Sequence, residues 1–138
     1  MRSVKVADYM TRKLITFNPA TPLYEAMNQM LDHRISGAPV VDAGGALVGV
    51  LSEIDFLEAM IKGSYYGDTE GTVGEVMTRG AQTIAADTDI YEASAIFVNE
   101  KRRRLPVLQD GRLVGQISRR DVLHAVRDLT SKKKEGKR

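Results

Sequence analysis

The feature that most constrains this chain is a pattern that occurs twice, at Gly49–Asp55 and at Gly115–Asp121. Each copy reads Gly, a short run predicted as a strand, Ser, two variable residues and Asp, and each leads into a helical pattern. The Ser-x-x-Asp spacing predicts the start of a helix. Because a helix start leaves backbone N–H groups unpaired, each junction is a candidate binding site. We call Ser52–Asp55 the first mouth and Ser118–Asp121 the second mouth.

The similarity between the two copies extends well beyond this pattern. Val6–Arg12 matches Val73–Arg79 at an offset of 67 residues. Pro39 matches Pro106 at the same offset, and one extra residue in the first copy then reduces the offset to 66. A register kept over most of each copy indicates an internal duplication.

Each copy reads as strand, helix, strand, strand, helix. Short strands are predicted at Leu14–Phe17 and Gln82–Ala85, and hairpin turns at Asp42–Gly45 and Gln109–Gly111. One such unit buries too little apolar surface to stand alone. The predicted fold class is therefore α/β (α+β), with two βαββα repeats packed through their sheets. The predicted domains are a first repeat at 1–62, a linker at 63–72, a second repeat at 73–130 and a basic disordered tail at 131–138.

The charge of the chain is concentrated in this tail. The chain has 20 basic and 18 acidic residues, and residues 131–138 hold five basic and one acidic residue. The remaining 15 basic and 17 acidic residues give the body a net charge of −2. The tail has no aromatic residue to stack on a base, so its basicity argues only weakly for nucleic-acid binding.

Other absences in the sequence also limit the function. The first residues lack the apolar core of a signal peptide, and no apolar run approaches the roughly 20 residues that span a bilayer. Cys is absent, which fits a reducing compartment. We expect a cytoplasmic protein that does not enter a membrane.

The sequence gives little support for catalysis. His33 and His124 do not occupy equivalent positions of the two copies, and we interpret both as surface or packing residues. No cluster has metal-ligand spacing, and no nucleophile elbow, P-loop or dinucleotide fingerprint is present. We expect no enzyme activity and no metal.

The order of the motifs resembles a tandem cystathionine-beta-synthase (CBS) domain pair, or Bateman module. The resemblance rests on the Val-x-x-Tyr/Val-Met-Thr motif, the Arg-Leu-Pro-Val strand and the duplicated Gly-x-x-Ser-x-x-Asp. It covers roughly residues 4–128. It implies two repeats related by a pseudo-two-fold axis, with two clefts that commonly bind AMP, ADP, ATP, S-adenosylmethionine or NAD. It also implies a homodimer that regulates a partner protein and requires no cofactor beyond this regulatory ligand.

The resemblance also assigns residues to a second-half site. Asp121 would bind the ribose hydroxyls, with Ser118 beside it, while Arg103 and Arg104 would contact a phosphate. Guanidinium groups suit a phosphate because they are permanently charged and can bind it with two hydrogen bonds. The remaining members are the two arginines of the motif, Arg119 and Arg120, and the residues of an adenine slot. The slot residues are Thr83, Ile84, Leu105, Pro106 and Val107.

The first-half site is expected to be weaker, empty or adapted to a less charged ligand, because its mouth contains Glu53-Ile54 where the second contains two arginines. Its predicted members are Thr16, Phe17, Ala38, Pro39, Ser52 and Asp55.

Each of these residues also has a purely structural interpretation. Ser52–Asp55 and Ser118–Asp121 can be capping boxes that need no ligand. Lys101–Arg104 can be a solvated turn at a helix end, where cations suit the dipole. Thr16 and Thr83 can bond only to the backbone, and the two prolines Pro39 and Pro106 can protect a sheet edge.

The leading hypothesis is a regulatory module that senses an adenine nucleotide and signals to a partner protein, with the second-half site favoured. A ligand-free dimerisation or interaction module is the main alternative. Nucleic-acid binding through the tail is a weaker one.

Overall fold

The computed structural model describes residues 4–63 and 71–135, with side chains described as far as residue 131. The mixed α/β class predicted from the sequence is confirmed. A 3₁₀ turn spans Val6–Asp8. The other elements are, in chain order, α1 Leu23–Asp32, β1 Gly37–Val41, β2 Leu47–Ser52, α2 Glu53–Ile61, α3 Val73–Val76, β3 Ile84–Ala85, α4 Ile90–Glu100, β4 Arg104–Gln109, β5 Arg112–Ser118 and α5 Arg119–Glu135.

These elements form two compact units. The first unit consists of residues 15–81, and the second unit consists of residues 1–14 together with residues 82–138. Each unit has its own small sheet and its own apolar core. The units therefore do not follow the order of the repeats, because each takes its opening segment from the other copy.

In the first unit, β1 pairs antiparallel with β2. The strand predicted at Leu14–Phe17 is reduced to a single parallel bridge between Phe17 and Val40. Pairing stops there because the next residue starts a turn: the side-chain oxygen of Asn18 accepts a hydrogen bond from the Ala20 amide at 2.8 Å. The sheet of this unit has only two strands as a result.

In the second unit, β3 lies parallel to β4, and β4 pairs antiparallel with β5. The hairpin turn predicted at Gln109–Gly111 is confirmed. Asp110 and Gly111 both have positive φ angles, 52° and 77°. Two consecutive positive φ angles are what a two-residue type I′ hairpin requires, and Asp-Gly is among the pairs that adopt it readily.

The opening segment of the first repeat packs in the second unit. Val6 is fully buried there and Met10 is 8% exposed, both within the core of that unit. Thr11 then extends the sheet, since it exchanges two main-chain hydrogen bonds with Gln116 of β5, at 2.8 and 2.9 Å.

The opening segment of the second repeat takes the equivalent place in the first unit. Val73 and Met77 belong to its core. Thr78 and Val50 of β2 exchange two main-chain hydrogen bonds of 2.9 Å. The two copies of the Met-Thr sequence thus pair with the strand that leads to a mouth, each in the unit of the opposite repeat.

This pairing explains why both copies of the duplicated pattern, Gly49–Asp55 and Gly115–Asp121, begin with glycine. A Cβ added at Gly115 would lie 2.7 Å from Met10 Sδ and 2.8 Å from the Thr11 carbonyl oxygen. A Cβ added at Gly49 would lie 2.8 Å from Met77 Sδ and 2.8 Å from the Thr78 carbonyl oxygen. A side chain at either position would therefore force the opening segment or the strand to shift.

The C-terminal region differs from the sequence prediction. Helix α5 continues to Glu135, so residues 131–135 of the predicted disordered tail are helical. Residues 136–138 lie outside the described residues, as does most of the predicted linker, including Tyr65 and Tyr66. Within the described ranges, no helix combines the length and apolarity needed to cross a membrane.

Candidate functional site

The first mouth forms the predicted capping box. The Asp55 carboxylate accepts hydrogen bonds through Oδ2 from the Ser52 amide at 2.8 Å and from the Ser52 hydroxyl at 3.1 Å. In return, the Asp55 amide donates to Ser52 Oγ at 3.3 Å. These contacts fix the start of α2 directly after β2.

The other oxygen of this carboxylate is also occupied. The Thr78 hydroxyl donates to Asp55 Oδ1 at 2.8 Å. Asp55 is only 7% exposed, so it depends on these hydrogen bonds to offset the cost of burying its charge. Sequence reasoning missed Thr78, although the repeated Met-Thr pair was the signal that marked it.

The second mouth has the same frame but lacks this additional contact. The Ser118 amide donates to Asp121 Oδ2 at 2.9 Å, and the Asp121 amide donates to Ser118 Oγ at 3.2 Å. Thr11, the counterpart of Thr78, makes the same backbone pairing, with Gln116, but the hydroxyl contact that Thr78 makes with Asp55 has no equivalent among the described residues. Among the described residues, no donor reaches Asp121 Oδ1. This oxygen can therefore accept a hydrogen bond from outside the chain.

The backbone N–H groups at the mouths are less open than the sequence suggested. The amide of Arg119, the first residue of α5, donates to the Arg103 carbonyl at 3.2 Å, and Glu53 of α2 donates to Ser36 in the same way at 3.1 Å. The third amide of each helix is bonded to serine, as described above. In the second mouth, only the Arg120 amide lacks a partner within the described part of the chain.

Cationic side chains surround the second mouth. The Arg119 guanidinium donates through Nε to the Arg102 carbonyl at 2.6 Å, and Arg102 Nε donates to Gln82 Oε1 at 3.2 Å. Arg104 lies opposite Ser118 in the sheet register. Arg103 and Arg120 are exposed. The structure thus brings the Lys101–Arg104 segment and the arginines of the motif together at one end of the sheet.

The predicted adenine-slot residues lie in or beside the sheet whose last strand leads to each mouth. In the second unit, Ile84 pairs with Val107 across β3 and β4, next to Thr83. Leu105, Pro106 and Val107 are buried. In the first unit, Phe17 bridges to β1, which contains Ala38 and Pro39, while Thr16 is exposed. The roles of these residues in binding stay predictions.

The histidines and acidic residues suggest no further site. His33 and His124 are both exposed. In the part of the chain that the structure describes, no group of three or more His, Asp and Glu side chains could hold a metal ion.

These features define a protein of two mixed α/β repeats, each with a serine–aspartate junction between its last strand and last helix. The family model of the CBS domain matches residues 6–62 and 73–128. The chain belongs to the CBS domain family, with two copies of the domain, as the resemblance of its motifs predicted.

Individual relatives agree with this assignment. The chain is 30% identical over 148 residues to the chloroplastic CBS domain-containing protein CBSX1 of Arabidopsis thaliana, covering 87% of this chain and 63% of that protein. The crystal structure of CBSX2 in complex with AMP has a TM-score of 0.79 at 30% identity, covering 91% of this chain and 98% of that one. The CBS domain pair of protein MJ0100, in complex with 5′-methylthioadenosine and S-adenosyl-L-methionine, has a TM-score of 0.74 at 25% identity, covering 91% and 97%.

Proposed function

We propose that this chain is a regulatory module that binds an adenosine-containing ligand at its second mouth and signals to a partner protein. The observation that carries the proposal is the Asp121 carboxylate, which has one oxygen without a donor among the described residues and lies beside a cluster of arginines. Solved CBS pairs of the same fold hold AMP or S-adenosylmethionine. The module acts without catalysis, and as a homodimer.

In this proposal, each part of the ligand has its own partner. Asp121 Oδ1 accepts a hydrogen bond from the ribose, and a carboxylate suits this role because it is an acceptor at both oxygens. Arg103 and Arg104 bind the phosphate, and the Arg120 amide at the start of α5 adds a backbone donor. The adenine lies against the apolar surface around Ile84 and Pro106.

The first mouth is proposed to bind more weakly or not at all. Asp55 already uses both carboxylate oxygens within the chain. A ribose would have to displace the Thr78 hydroxyl, and so exchange one hydrogen bond for another with little net gain. The structural interpretation of the mouth motif, a capping box, is sufficient for Asp55.

A thermal-shift panel tests the proposal. The full chain is heated with AMP, ADP, ATP, S-adenosylmethionine or NAD, and compared with Asp121→Asn and, as a matched control, Asp55→Asn. A ligand at 100 times its Kd should stabilise the wild-type chain by about 2.7 kcal/mol. We expect Asp121→Asn to lose this stabilisation and Asp55→Asn to keep it.

Two outcomes would contradict the proposal in different ways. The absence of a shift with every ligand would favour a ligand-free interaction module. Loss of the shift in Asp55→Asn alone would move the site to the first mouth.

A further inference from the structure

The two mouths differ strongly in local charge. In the first repeat, residues 34–41 and 50–55 contain one cation, Arg34, against Glu53 and Asp55, which gives a net charge of −1. The equivalent residues of the second repeat, 101–108 and 116–121, contain six cations against Asp121, which gives +5. Equivalent positions of the same fold therefore differ by six charges.

The hydrogen bonds of the second unit hold these cations near the mouth. The backbone contact of Arg119 with Arg103 and the side-chain contact of Arg119 with Arg102 join the two cationic segments. An ion pair between Arg127 and Asp128 lies further along α5, away from the mouth. The side chains of Arg103 and Arg120 make no hydrogen bond or ion pair within the described ranges, so no described residue neutralises these two positive charges.

We infer that the second mouth selects its ligand by charge, and binds a nucleoside di- or triphosphate in preference to a monophosphate. This rests on the proposed function, since it concerns the same site. A monophosphate brings a charge of about −2, which leaves part of the cluster uncompensated, and each further phosphate adds negative charge. An adenosine derivative without phosphate gains nothing from the cluster, and a cationic sulfonium is repelled by it.

Isothermal titration of the full chain with adenosine, AMP, ADP and ATP, in magnesium-free buffer, tests this inference. We expect ATP to bind about tenfold or more tightly than AMP, as one or two additional charge-assisted hydrogen bonds would give. The combined variant Arg103→Gln/Arg120→Gln should weaken ATP binding about tenfold while changing adenosine binding less than about twofold.

Arg127→Gln is the matched control. It removes the same charge from α5 about 10 Å from Arg120, by the rise of a helix, and should leave the preference for ATP intact. Equal affinities for ATP, AMP and adenosine would overturn the inference while leaving the proposed function standing. If none of the four ligands binds, the proposed function fails and the inference fails with it.

Discussion

Asp55 and Asp121 illustrate how one residue type in one motif can have two hydrogen-bonding environments. Both carboxylates accept the amide of the serine three residues earlier. The Thr78 hydroxyl completes the hydrogen bonding of Asp55 at 2.8 Å, whereas no described residue does the same for Asp121. A single hydroxyl therefore separates a carboxylate with both oxygens bonded within the chain from one whose Oδ1 has no donor among the described residues.

A second contact at this scale anchors the opening segment to α5. The Tyr9 hydroxyl donates to Asp128 Oδ2 at 2.6 Å. This hydrogen bond to a carboxylate, together with desolvation and the negative charge of Asp128, raises the pKa of Tyr9 above its ordinary value of 10.0. The neutral phenol is the form that the folded chain favours.

The raised pKa of Tyr9 predicts a pH dependence. The stabilisation is fully present below the unfolded pKa of about 10, and it is lost as the pH rises through the higher folded pKa. Tyr9→Phe should lower the free energy of unfolding by about 1 kcal/mol near neutral pH, less than is usual for a hydrogen bond to a charged group, because the contact is partly exposed. Urea unfolding of the wild-type chain and the variant at several pH values measures this difference.

Tyr91→Phe provides the control, since Tyr91 is 78% exposed. Removing the Tyr91 hydroxyl should change the free energy of unfolding by less than about 0.5 kcal/mol. A Tyr9→Phe difference that stayed constant from neutral pH to beyond the folded pKa would contradict the assigned cause.

At the scale of elements, each opening segment pairs with the strand before a mouth. This pairing accounts for the two conserved-in-repeat glycines and for the extension of both sheets. Met10 and Met77 lie over Gly115 and Gly49, and the threonines that follow them extend the two sheets. The strand, the opening segment and the mouth therefore form one assembly in each unit.

This close approach predicts that alanine is costly at either glycine. Gly49→Ala and Gly115→Ala should each destabilise the chain by about 1–3 kcal/mol, as expected for overpacking against backbone. Gly44→Ala is the matched control, because its nearest neighbour, Asp42 Oδ1, lies 3.5 Å from the added Cβ, an ordinary contact. Thermal unfolding of the three variants measures the difference, and equal melting temperatures would contradict the proposed packing.

At the scale of the whole molecule, the exchange of opening segments divides the chain differently from its sequence repeats. The core of the first unit includes Val73 and Met77, which the sequence assigns to the second repeat. A fragment ending at residue 62 lacks both, whereas a fragment of residues 15–81 contains the complete core.

Residues 15–81 hold a complete core, which one sequence repeat by itself lacks. We therefore expect residues 15–81 to unfold cooperatively, unlike the single repeat considered from the sequence, and residues 1–62 to show no cooperative transition. Burying a Val or Met side chain contributes about 1.5–3 kcal/mol, and a core of this size rarely supplies more than about 3–5 kcal/mol. Circular dichroism during heating distinguishes the two fragments.

Met77→Ala within the longer fragment tests the cause directly. This substitution should lower the free energy of unfolding by about 2–5 kcal/mol. Fragment 15–81 would then lose most of its cooperative transition and resemble fragment 1–62. Equal stability of the two unmodified fragments would show that the exchanged segment does not complete the core.

The sequence by itself determined the duplication, the family and most of the helices and strands, because these depend on local patterns. The Ser-x-x-Asp spacing sufficed to predict both helix starts, and Asp-Gly sufficed for the hairpin at residues 110–111. The greater positive charge of the second mouth was also evident from the residues alone.

Only the tertiary structure decided which opening segment belongs to which core, and hence the partners of Asp55. Thr78 is 23 residues from Asp55 in the chain, and no local pattern specifies a contact between residues that far apart. The two Met-Thr segments, residues 6–12 and 73–79, share Val, Met, Thr and Arg at equivalent positions, so their exchange depends on packing rather than on propensity. For the same reason, the two similar mouths acquired different hydrogen bonding only when the chain folded.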